Sequence, residues 1–182
     1  MVFVLITVTI ILFIIAVIFS FPQFSPIPYF PSNKKDISLI IKALGLTNNQ
    51  IVIDLGAGDG IVVFEAAKAA KQKGLNTRFI GIELNPVLIT ILNFKRLLHP
   101  NKKNVEIIWS NFFKMSPNTL ITNRQLSITF YLYISPWLLN ETLEVIKKSF
   151  PACRIISYMY PIKVLKEKEV LKGKNNIYIY AI

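Results

Sequence analysis

From residue 50 onward, short apolar runs alternate with longer segments in which apolar residues recur every three or four positions. Runs of about four to eight apolar residues predict buried strands, and the longer periodicity predicts helices that bury one face. The strands are predicted at residues 51–55, 78–83, 105–110, 126–133 and 154–158, with two more in the tail at 162–165 and 176–181. The helices are predicted from residue 36 to a stop at Gly45, and at residues 61–73, 86–98 and 136–149. Alternating strands and helices form a parallel sheet with helices on both faces, so the sequence predicts an α/β fold with a mostly parallel, seven-stranded sheet.

The N-terminal part of the chain is apolar throughout. Residues 2–21 are twenty positions without a charged side chain. At about 1.5 Å per residue, a helix of that length spans roughly the 30 Å hydrocarbon core of a bilayer. We therefore predict a transmembrane anchor at residues 1–21. A cleaved signal peptide is the alternative, but no Lys or Arg precedes the apolar run and no small-x-small cleavage motif follows it.

A proline-rich stretch follows the anchor. The prolines at positions 22, 26, 28 and 31 prevent a continuing helix and favour an extended segment. We therefore assign residues 22–35 to a juxtamembrane linker and residues 36–182 to one globular domain. Lys34, Lys35 and Lys42 lie on this side of the anchor. Because the lysine-rich side of a membrane segment usually stays in the cytoplasm, we expect a single-pass protein with its domain on the cytoplasmic side.

The composition of the chain limits the kinds of molecule that we expect it to bind. The net charge is +11, but the lysines are scattered along the domain. This pattern favours solvated faces or contact with an anionic lipid surface over nucleic-acid binding. We expect membrane lipid as a partner through the N-terminal helix, and no nucleic acid. The single cysteine, Cys153, cannot form an internal disulfide, and no residue cluster has the spacing of a metal site.

The glycine-rich stretch VIDLGAGDG, residues 52–60, follows the first predicted strand. Asp54 lies at the end of that strand, and the glycines form the turn into the next helix, where free backbone N–H groups can meet a ligand. A dinucleotide-binding turn has the spacing Gly-x-Gly-x-x-Gly, whereas the third glycine comes one residue early here. The carboxylates of Asp54 and Asp59 would repel a pyrophosphate. They favour a ligand that carries an ammonium group and no phosphate.

A second acid stands at the end of the next predicted strand. Glu83, in the stretch GIELNP, falls where a carboxylate can accept hydrogen bonds from both hydroxyls of a ribose. Ligands of parallel α/β sheets bind at these carboxyl ends of the strands. A ligand with a ribose, a cationic amino-acid end and no phosphate is S-adenosylmethionine, which we predict as the cofactor.

The stretches DLGAGDG and ELNP together resemble the class I methyltransferases that use this cofactor. The resemblance implies a Rossmann-like fold, a glycine turn that faces the methionine part of the cofactor, and a second-strand acid that holds the ribose. In this family an acid after the third strand often binds the adenine amine. This chain has Asn111 there, whose amide oxygen can still accept that bond. The predicted cofactor-binding residues are Asp54, Gly56, Ala57, Gly58, Asp59, Glu83, Asn85, Asn111 and Phe112.

Six motifs resemble a narrower group, the small membrane-anchored protein-lysine methyltransferases that include the mitochondrial enzyme acting on the ATP synthase c subunit. In chain order the motifs are PYFPS, IDLGAGDG, GIELNP, SNFFK, LYISPWLL and SYMYP, which extend from residue 28 to residue 161. This resemblance implies methyl transfer to a lysine of a membrane-associated protein. Asn111 and a short, lysine-rich tail depart from the pattern of the group.

The methyl acceptor is expected after the fourth strand, where class I methyltransferases place it. Tyr133 and Trp137 are predicted to shape an aromatic slot that lowers the pKa of a lysine amine by desolvation, and Tyr29 to close it from the N-terminal side. Core packing is the alternative for Trp137 and Tyr29, and a plain turn residue is the alternative for Asp59. The stretch YISPW lacks the polar residue followed by Pro-Pro-aromatic that adenine amino-methyltransferases carry here, which disfavours nucleobase methylation.

Two other functions are compatible with the same residues. An anchor also brings the active site close to a lipid-phase small molecule, such as a quinone or a phospholipid head group. A fold that binds the cofactor without turnover, or that scaffolds a membrane complex, is the second alternative. The three functions differ in whether the methyl group is transferred to protein, to lipid or to neither.

Overall fold

The computed structural model describes residues 1–20, 30–114 and 126–182. It begins with the helix α1, Val2–Ser20, which has no charged side chain in its first or last turn. The hydroxyls of Thr7 and Thr9 each donate to a backbone carbonyl one turn earlier at 2.9 Å, so these polar groups are satisfied inside the helix. Among the described residues, α1 alone is long and apolar enough to cross a membrane, a property that a signal sequence shares. Most of the predicted linker, residues 22–29, lies outside the described part of the chain.

Seven strands follow α1 and form a single sheet. They are β1 Gln50–Leu55, β2 Arg78–Glu83, β3 Val105–Trp109, β4 Ser127–Leu132, β5 Arg154–Tyr158, β6 Glu169–Lys172 and β7 Asn176–Ala181. Their order in the sheet is β3-β2-β1-β4-β5-β7-β6. The first five strands pair in parallel, and β7 is antiparallel to both β5 and β6. The predicted mostly parallel, seven-stranded α/β fold is therefore confirmed.

Helices cover both faces of the sheet. The helices after α1 are α2 Ile37–Leu44, α3 Ile61–Gln72, α4 Pro86–Leu98 and α5 Leu139–Ser149. One core joins Val52 and other strand residues of the same face to α2, α3 and Leu92 of α4. The other core joins Ile53 and its neighbours to α5 through Leu143. Successive strand residues point to opposite faces, so both faces are buried, as parallel strands with helical crossovers require.

Local capping explains where the helices begin and end. The Asn85 side chain accepts hydrogen bonds from two backbone N–H groups in the first turn of α4, and Pro86 opens that helix, so α4 matches its predicted range. α2 ends at Gly45, which has a left-handed φ of 59°. The predicted helix at residues 136–149 starts instead with a 3-10 turn, Pro136–Leu138, before α5.

The predicted strand at residues 162–165 is wrong. The segment is a turn in which the N–H of Leu165 donates to the Ile162 carbonyl at 3.0 Å, while the N–H of Ile162 donates to the Tyr180 hydroxyl at 2.9 Å. The strand in this part of the chain is β6, whose terminal residues are charged and exposed. Because an edge strand buries little apolar area, the hydrophobic pattern favoured the more apolar segment before it.

A buried acid ties the start of the domain to its last hairpin. The Asp36 carboxylate accepts hydrogen bonds from the Tyr158 hydroxyl at 2.7 Å and from the backbone N–H groups of Lys174 at 2.6 Å and Asn175 at 2.9 Å. Gly173 permits this approach, since a Cβ there would collide with Asp36 Oδ1. Burial alone raises the pKa of Asp36, but these hydrogen bonds outweigh it and leave the pKa below its ordinary value. The segment before α2 is thereby fixed to the sheet.

Replacing Asp36 by Asn should destabilise the domain, because an NH₂ group takes the place of an acceptor and the charge is lost. We expect a loss of roughly 2–3 kcal/mol in the free energy of unfolding, or a melting temperature lower by about 5 °C or more. Thermal unfolding of the full chain in detergent, followed by circular dichroism, measures this change. Glu106→Gln is the matched control, since its ion pair with Arg78 is exposed on both sides. Equal melting temperatures for the two variants would contradict the role given to Asp36.

Candidate active site

A cleft of about 810 Å³ opens at the carboxyl ends of the central strands. From β1 the sheet grows toward β2 on one side and toward β4 on the other, so the cleft lies at the topological switch point. Ligands of open α/β sheets bind at this place. Its walls come from the segment before α2, the glycine turn, the ends of β2 and β4, and the loop after β3.

Two contacts shape the glycine turn between β1 and α3. The N–H of Gly58 donates to Glu83 Oε2 at 2.8 Å, which ties the turn to the end of β2. Gly60 precedes α3 with a φ of 77°, and a Cβ there would collide with Leu92 and Phe64. Glycine is therefore required at this position. The turn leaves the N-terminal end of α3, at Ile61, open to the cleft.

Glu83 holds more of the backbone than the sequence suggests. Besides the Gly58 N–H, its carboxylate accepts hydrogen bonds from the N–H groups of Leu84 at 2.8 Å and Asn85 at 2.9 Å. A carboxylate has about four acceptor sites, and backbone N–H groups occupy three of them here. If Glu83 holds both ribose hydroxyls, as the family resemblance implies, one of these backbone bonds has to open.

Asp54 carries a buried carboxyl group that has no hydrogen-bond donor among the described residues. Its residue is only 3% exposed and lines the cleft. No residue in the described part of the chain forms a hydrogen bond or ion pair with its carboxylate. Burial raises the pKa of Asp54, and the nearby charges of Glu83 and Asp59 raise it further, to about 8. Three acids are therefore gathered at the cleft, and a cationic ligand would favour the ionised form of Asp54.

The predicted residues of the glycine turn and of the loop after β3 also border the cleft. The residues in question are Gly56, Ala57, Gly58, Asp59, Asn111 and Phe112. Asp59 additionally accepts a hydrogen bond from the Ile61 N–H at 3.2 Å and pairs with Lys95 at 3.3 Å, so it is a turn residue as well. Asn111 Oδ1 accepts a hydrogen bond from the Phe113 N–H at 3.0 Å. This bond leaves only part of the acceptor capacity of Asn111 for an adenine amine.

Two predicted site residues, Asn85 and Trp137, do not line the cleft, and the position of a third is not described. Asn85 caps α4, and its Nδ2 is buried without a hydrogen-bond partner among the described residues. Trp137 lies in the 3-10 turn before α5 with 74% of its surface exposed, and neither residue lines the cleft. The structure therefore does not place Asn85 or Trp137 at the cleft. The ring of Trp137 is not part of the core either. Tyr29 lies outside the described residues, and its role stays a prediction.

One tyrosine that lines the cleft packs against two further tyrosines. Tyr133 lines the cleft and packs edge-on against Tyr158, with ring centres 4.9 Å apart, and it stacks toward Tyr160 at 6.5 Å. Its hydroxyl donates to Met159 Sδ at 3.7 Å. Burial, with a smaller effect of Tyr160, raises the pKa of Tyr133, so the phenol is neutral at physiological pH. We call Tyr133, Tyr158 and Tyr160 the aromatic wall; Tyr133 is the member that lines the cleft, and the other two support its ring.

Sequence reasoning missed Tyr131, Ser32 and Phe30, which also line the cleft. Tyr131 is fully buried beside Asp54, its register partner on β1, and its hydroxyl shares a 2.8 Å hydrogen bond with Ser32. Strand alternation was a usable signal for Tyr131, because it lies two residues before Tyr133 and so on the same face. Ser32 and Phe30 belong to the PYFPS motif, but their place in the cleft was not predictable, since the residues they meet there are far away in the sequence.

Comparison with known proteins places the chain among methyltransferases. No family model matches it. It is 29% identical over 167 residues to a protein-lysine N-methyltransferase from Saccharolobus islandicus, which covers 86% of this chain and 94% of that relative. It is 30% identical over 98 residues to the Caenorhabditis elegans lysine N-methyltransferase that is named for the c subunit of ATP synthase. That match covers 50% of this chain and only 48% of that relative.

A solved structure shows the same fold. The RNA methyltransferase from Salinibacter ruber, in complex with S-adenosyl-L-homocysteine, superposes with a TM-score of 0.69 at 19% identity. The match covers 84% of this chain and 94% of that chain.

The Asp54 carboxyl group, which has no partner among the described residues, indicates whether the cleft fits S-adenosylmethionine. The ammonium group and the cationic sulfur of that molecule provide the positive charge that the buried Asp54 carboxyl group lacks, so the residues fit. The chain has the Rossmann-like fold of the methyltransferases, with the cleft at the switch point of its sheet. In sequence it is similar to protein-lysine N-methyltransferases that use S-adenosylmethionine. This confirms the predicted enzyme class and cofactor.

The residues of the cleft divide the work of such a reaction. When bound, S-adenosylmethionine supplies an electrophilic methyl group on a cationic sulfur. The carboxylates of Asp54 and Asp59 would balance the positive charge of its amino-acid end, and Glu83 would hold its ribose. Phe112 and Tyr131 form apolar walls that exclude water. Tyr133 would orient the acceptor, and positioning of this kind supplies much of the rate in a displacement reaction.

The raised pKa of Asp54 predicts how stability and binding depend on pH. Its pKa in the folded chain, about 8, lies above the ordinary value of 3.8, so the folded chain holds this proton more tightly than the unfolded chain. Without a ligand, the contribution of Asp54 to stability is therefore full below pH 3.8 and is lost as the pH rises toward 8. Asp54→Asn should flatten this slope and raise the stability of the ligand-free protein at neutral pH, by on the order of 1–3 kcal/mol.

Binding of the cationic cofactor should favour the ionised carboxylate and release a proton at neutral pH. Calorimetric titration in two buffers of different ionisation enthalpy measures that release. Asp54→Asn should abolish it and weaken binding, whereas the exposed Glu106→Gln change should leave it intact. A binding enthalpy that is the same in both buffers for the unmodified chain would contradict the protonated state of Asp54.

Proposed function

We propose that the chain is a membrane-anchored methyltransferase that modifies a lysine of a membrane-associated protein. The observation that carries the proposal is Tyr133, the residue of the aromatic wall that lines the acid-lined cleft. The similarity to the protein-lysine N-methyltransferase of S. islandicus, which extends over most of both chains, supports lysine as the acceptor.

The aromatic wall suits the chemistry of a lysine acceptor. A lysine amine has to lose its proton before its lone pair can attack a methyl group. Aromatic faces attract the incoming ammonium group, and the desolvated surroundings then lower the pKa of the amine. Because the raised pKa of Tyr133 keeps its phenol neutral, no phenolate stabilises the ammonium form. Tyr133 can therefore attract the lysine side chain while it is still a cation. Once the side chain is bound and desolvated, its neutral amine is favoured, and the proton passes to solvent.

The N-terminal helix supports attachment to a membrane. α1 carries no charge in its terminal turns and is long enough to cross the hydrocarbon core. Lys34, Lys35 and Lys42 follow it, which supports a domain on the cytoplasmic side. An anchored domain meets acceptors at the membrane more often than acceptors in solution, because the anchor raises their effective concentration.

RNA is the second candidate acceptor. The S. ruber neighbour is an RNA methyltransferase, and this chain carries a net charge of +11. The stretch after β4 argues against a nucleobase as the acceptor. Its aromatic residue, Trp137, lies in the 3-10 turn Pro136–Leu138 and does not line the cleft, so it could not stack on a base there. A lipid-phase small molecule is the third candidate, because the same anchor would bring the cleft close to it.

Methyl transfer from labelled S-adenosylmethionine identifies the acceptor. The full-length chain is incubated with native membranes, and protein, lipid and RNA are then separated and counted. We expect the label in protein, and acid hydrolysis of that protein should release methylated lysine. Label in RNA or in lipid would contradict the proposal. Cofactor binding without label in any fraction would favour a non-catalytic scaffold.

Variants separate the cofactor side of the cleft from the acceptor side. Glu83→Gln should lose cofactor binding and methyl transfer together, since an NH₂ group would face the Gly58 N–H. Tyr133→Ala should reduce methyl transfer roughly tenfold or more, which corresponds to about 1.4 kcal/mol, and leave cofactor affinity within about twofold. Glu106→Gln is the control for both. Equal loss of cofactor affinity in Glu83→Gln and Tyr133→Ala would contradict this division.

A further inference from the structure

The helix α4 is apolar on two sides. Leu88 and Leu92 are buried against the sheet. Ile91, Phe94 and Leu98 follow each other at spacings of three and four residues, which places them on one separate stripe of the helix. We call these three residues the outer stripe. An ordinary surface helix is polar on the side away from its core, so the outer stripe has no role in the fold of the domain.

The outer stripe is open to its surroundings even with α1 in place. Phe94 is 64% exposed and Leu98 is 72% exposed. From residue 30 onward, nine large apolar residues are exposed in the described part of the chain, and five of them are Ile91, Phe94, Leu97, Leu98 and Trp109. Soluble domains scatter such residues singly, whereas a contiguous group marks a surface that another phase or molecule covers.

The surroundings of the outer stripe indicate what covers it. α1 contacts α4, so the candidate membrane span leads directly to this side of the domain. Trp109, on the edge strand β3, is exposed and fixed by a 2.8 Å hydrogen bond from its Nε1 to the Leu84 carbonyl, just before α4. Tryptophan with one polar contact and an exposed ring is typical of the membrane interface.

Basic side chains border the other end of the stripe. Lys102 and Lys103 follow α4 and are exposed. Lys71 of α3 reaches the same end, where its Nζ donates to the Pro100 carbonyl at 2.6 Å, and the exposed Lys68 lies one turn before it on that helix. Glu65 is an acid at this end, near His99. Positive charge beside an apolar stripe complements the anionic lipid of a cytoplasmic leaflet.

We propose that the outer stripe and Trp109 dock the domain onto the anionic lipid surface of the bilayer that α1 enters. This inference rests on the membrane anchoring in the proposed function and narrows its substrate class. α4 begins three residues after Glu83, and Lys95 of α4 pairs with Asp59 of the glycine turn at 3.3 Å. Docking of α4 therefore fixes the height of the cleft above the lipid. Lysines at the membrane surface are then accessible, and lysines of distant soluble domains are not.

Fluorescence quenching of Trp109 tests the docking. The full chain is placed in nanodiscs whose lipids carry bromine near the top of the acyl chains, in a Trp137→Phe background that leaves Trp109 as the remaining one of two tryptophans. We expect Trp109 emission to be quenched, and quenched more when phosphatidylserine is present. The double variant Phe94→Gln, Leu98→Gln should lose most of the quenching. Val164→Gln, at another apolar residue that is 62% exposed, should keep it.

Two controls separate the possible failures. Resistance to alkaline carbonate extraction reports anchoring by α1 alone, and cofactor titration shows that each variant is folded. An anchored, cofactor-binding chain whose Trp109 is unquenched, or equally quenched in the double variant, would overturn the docking and leave the proposed function standing. Release by carbonate would overturn anchoring and docking together. Cross-links between two copies through Phe94→Cys, without quenching, would show that a second chain covers the stripe and would also overturn the proposal.

Discussion

The carboxylate of Glu83 is the point on which the site depends. It accepts hydrogen bonds from Gly58 in the turn after β1 and from Leu84 and Asn85 after β2, so it joins the two crossovers that enclose the cleft. Its charge also raises the pKa of Asp54, behind the effect of burial. One side chain therefore sets both the shape of the glycine turn and the negative potential beneath it. A cationic nucleoside fits this turn and is attracted by this potential, whereas a pyrophosphate does not fit the turn and is repelled by the potential.

The segment before α2 links this site to the membrane side of the chain. Phe30 and Ser32 form part of the cleft wall, and the hydrogen bond between Ser32 and Tyr131 holds them against β4. A few residues later, the buried Asp36 carboxylate fixes the segment to the last hairpin. If α1 is the membrane anchor that we propose, this short distance in sequence between α1 and the cleft wall would keep the catalytic centre close to the bilayer. Docking of α4 onto the lipid surface would also keep the catalytic centre close to the bilayer.

The sequence was informative wherever a signal was local. Apolar runs identified six of the seven strands, and the Asn85–Pro86 pair marked the start of α4. The sixth strand was misplaced, because β6 is an exposed edge strand whose apolar pattern is weaker than that of the turn before it. Asp54 and Glu83 were recognisable from spacing. The contacts of Ser32 with Tyr131 and of Asp36 with Tyr158 join residues about a hundred positions apart, so only the fold reveals them.

The central claim is that the acids of the cleft select a cationic nucleoside. Calorimetric comparison of S-adenosylmethionine with 5′-methylthioadenosine tests it most directly, since the second ligand keeps the adenosine but lacks the ammonium group and the sulfonium charge. The account predicts that methylthioadenosine binds at least about tenfold more weakly, and that Asp54→Asn removes much of this difference. Equal affinities of the unmodified chain for the two ligands would contradict the claim.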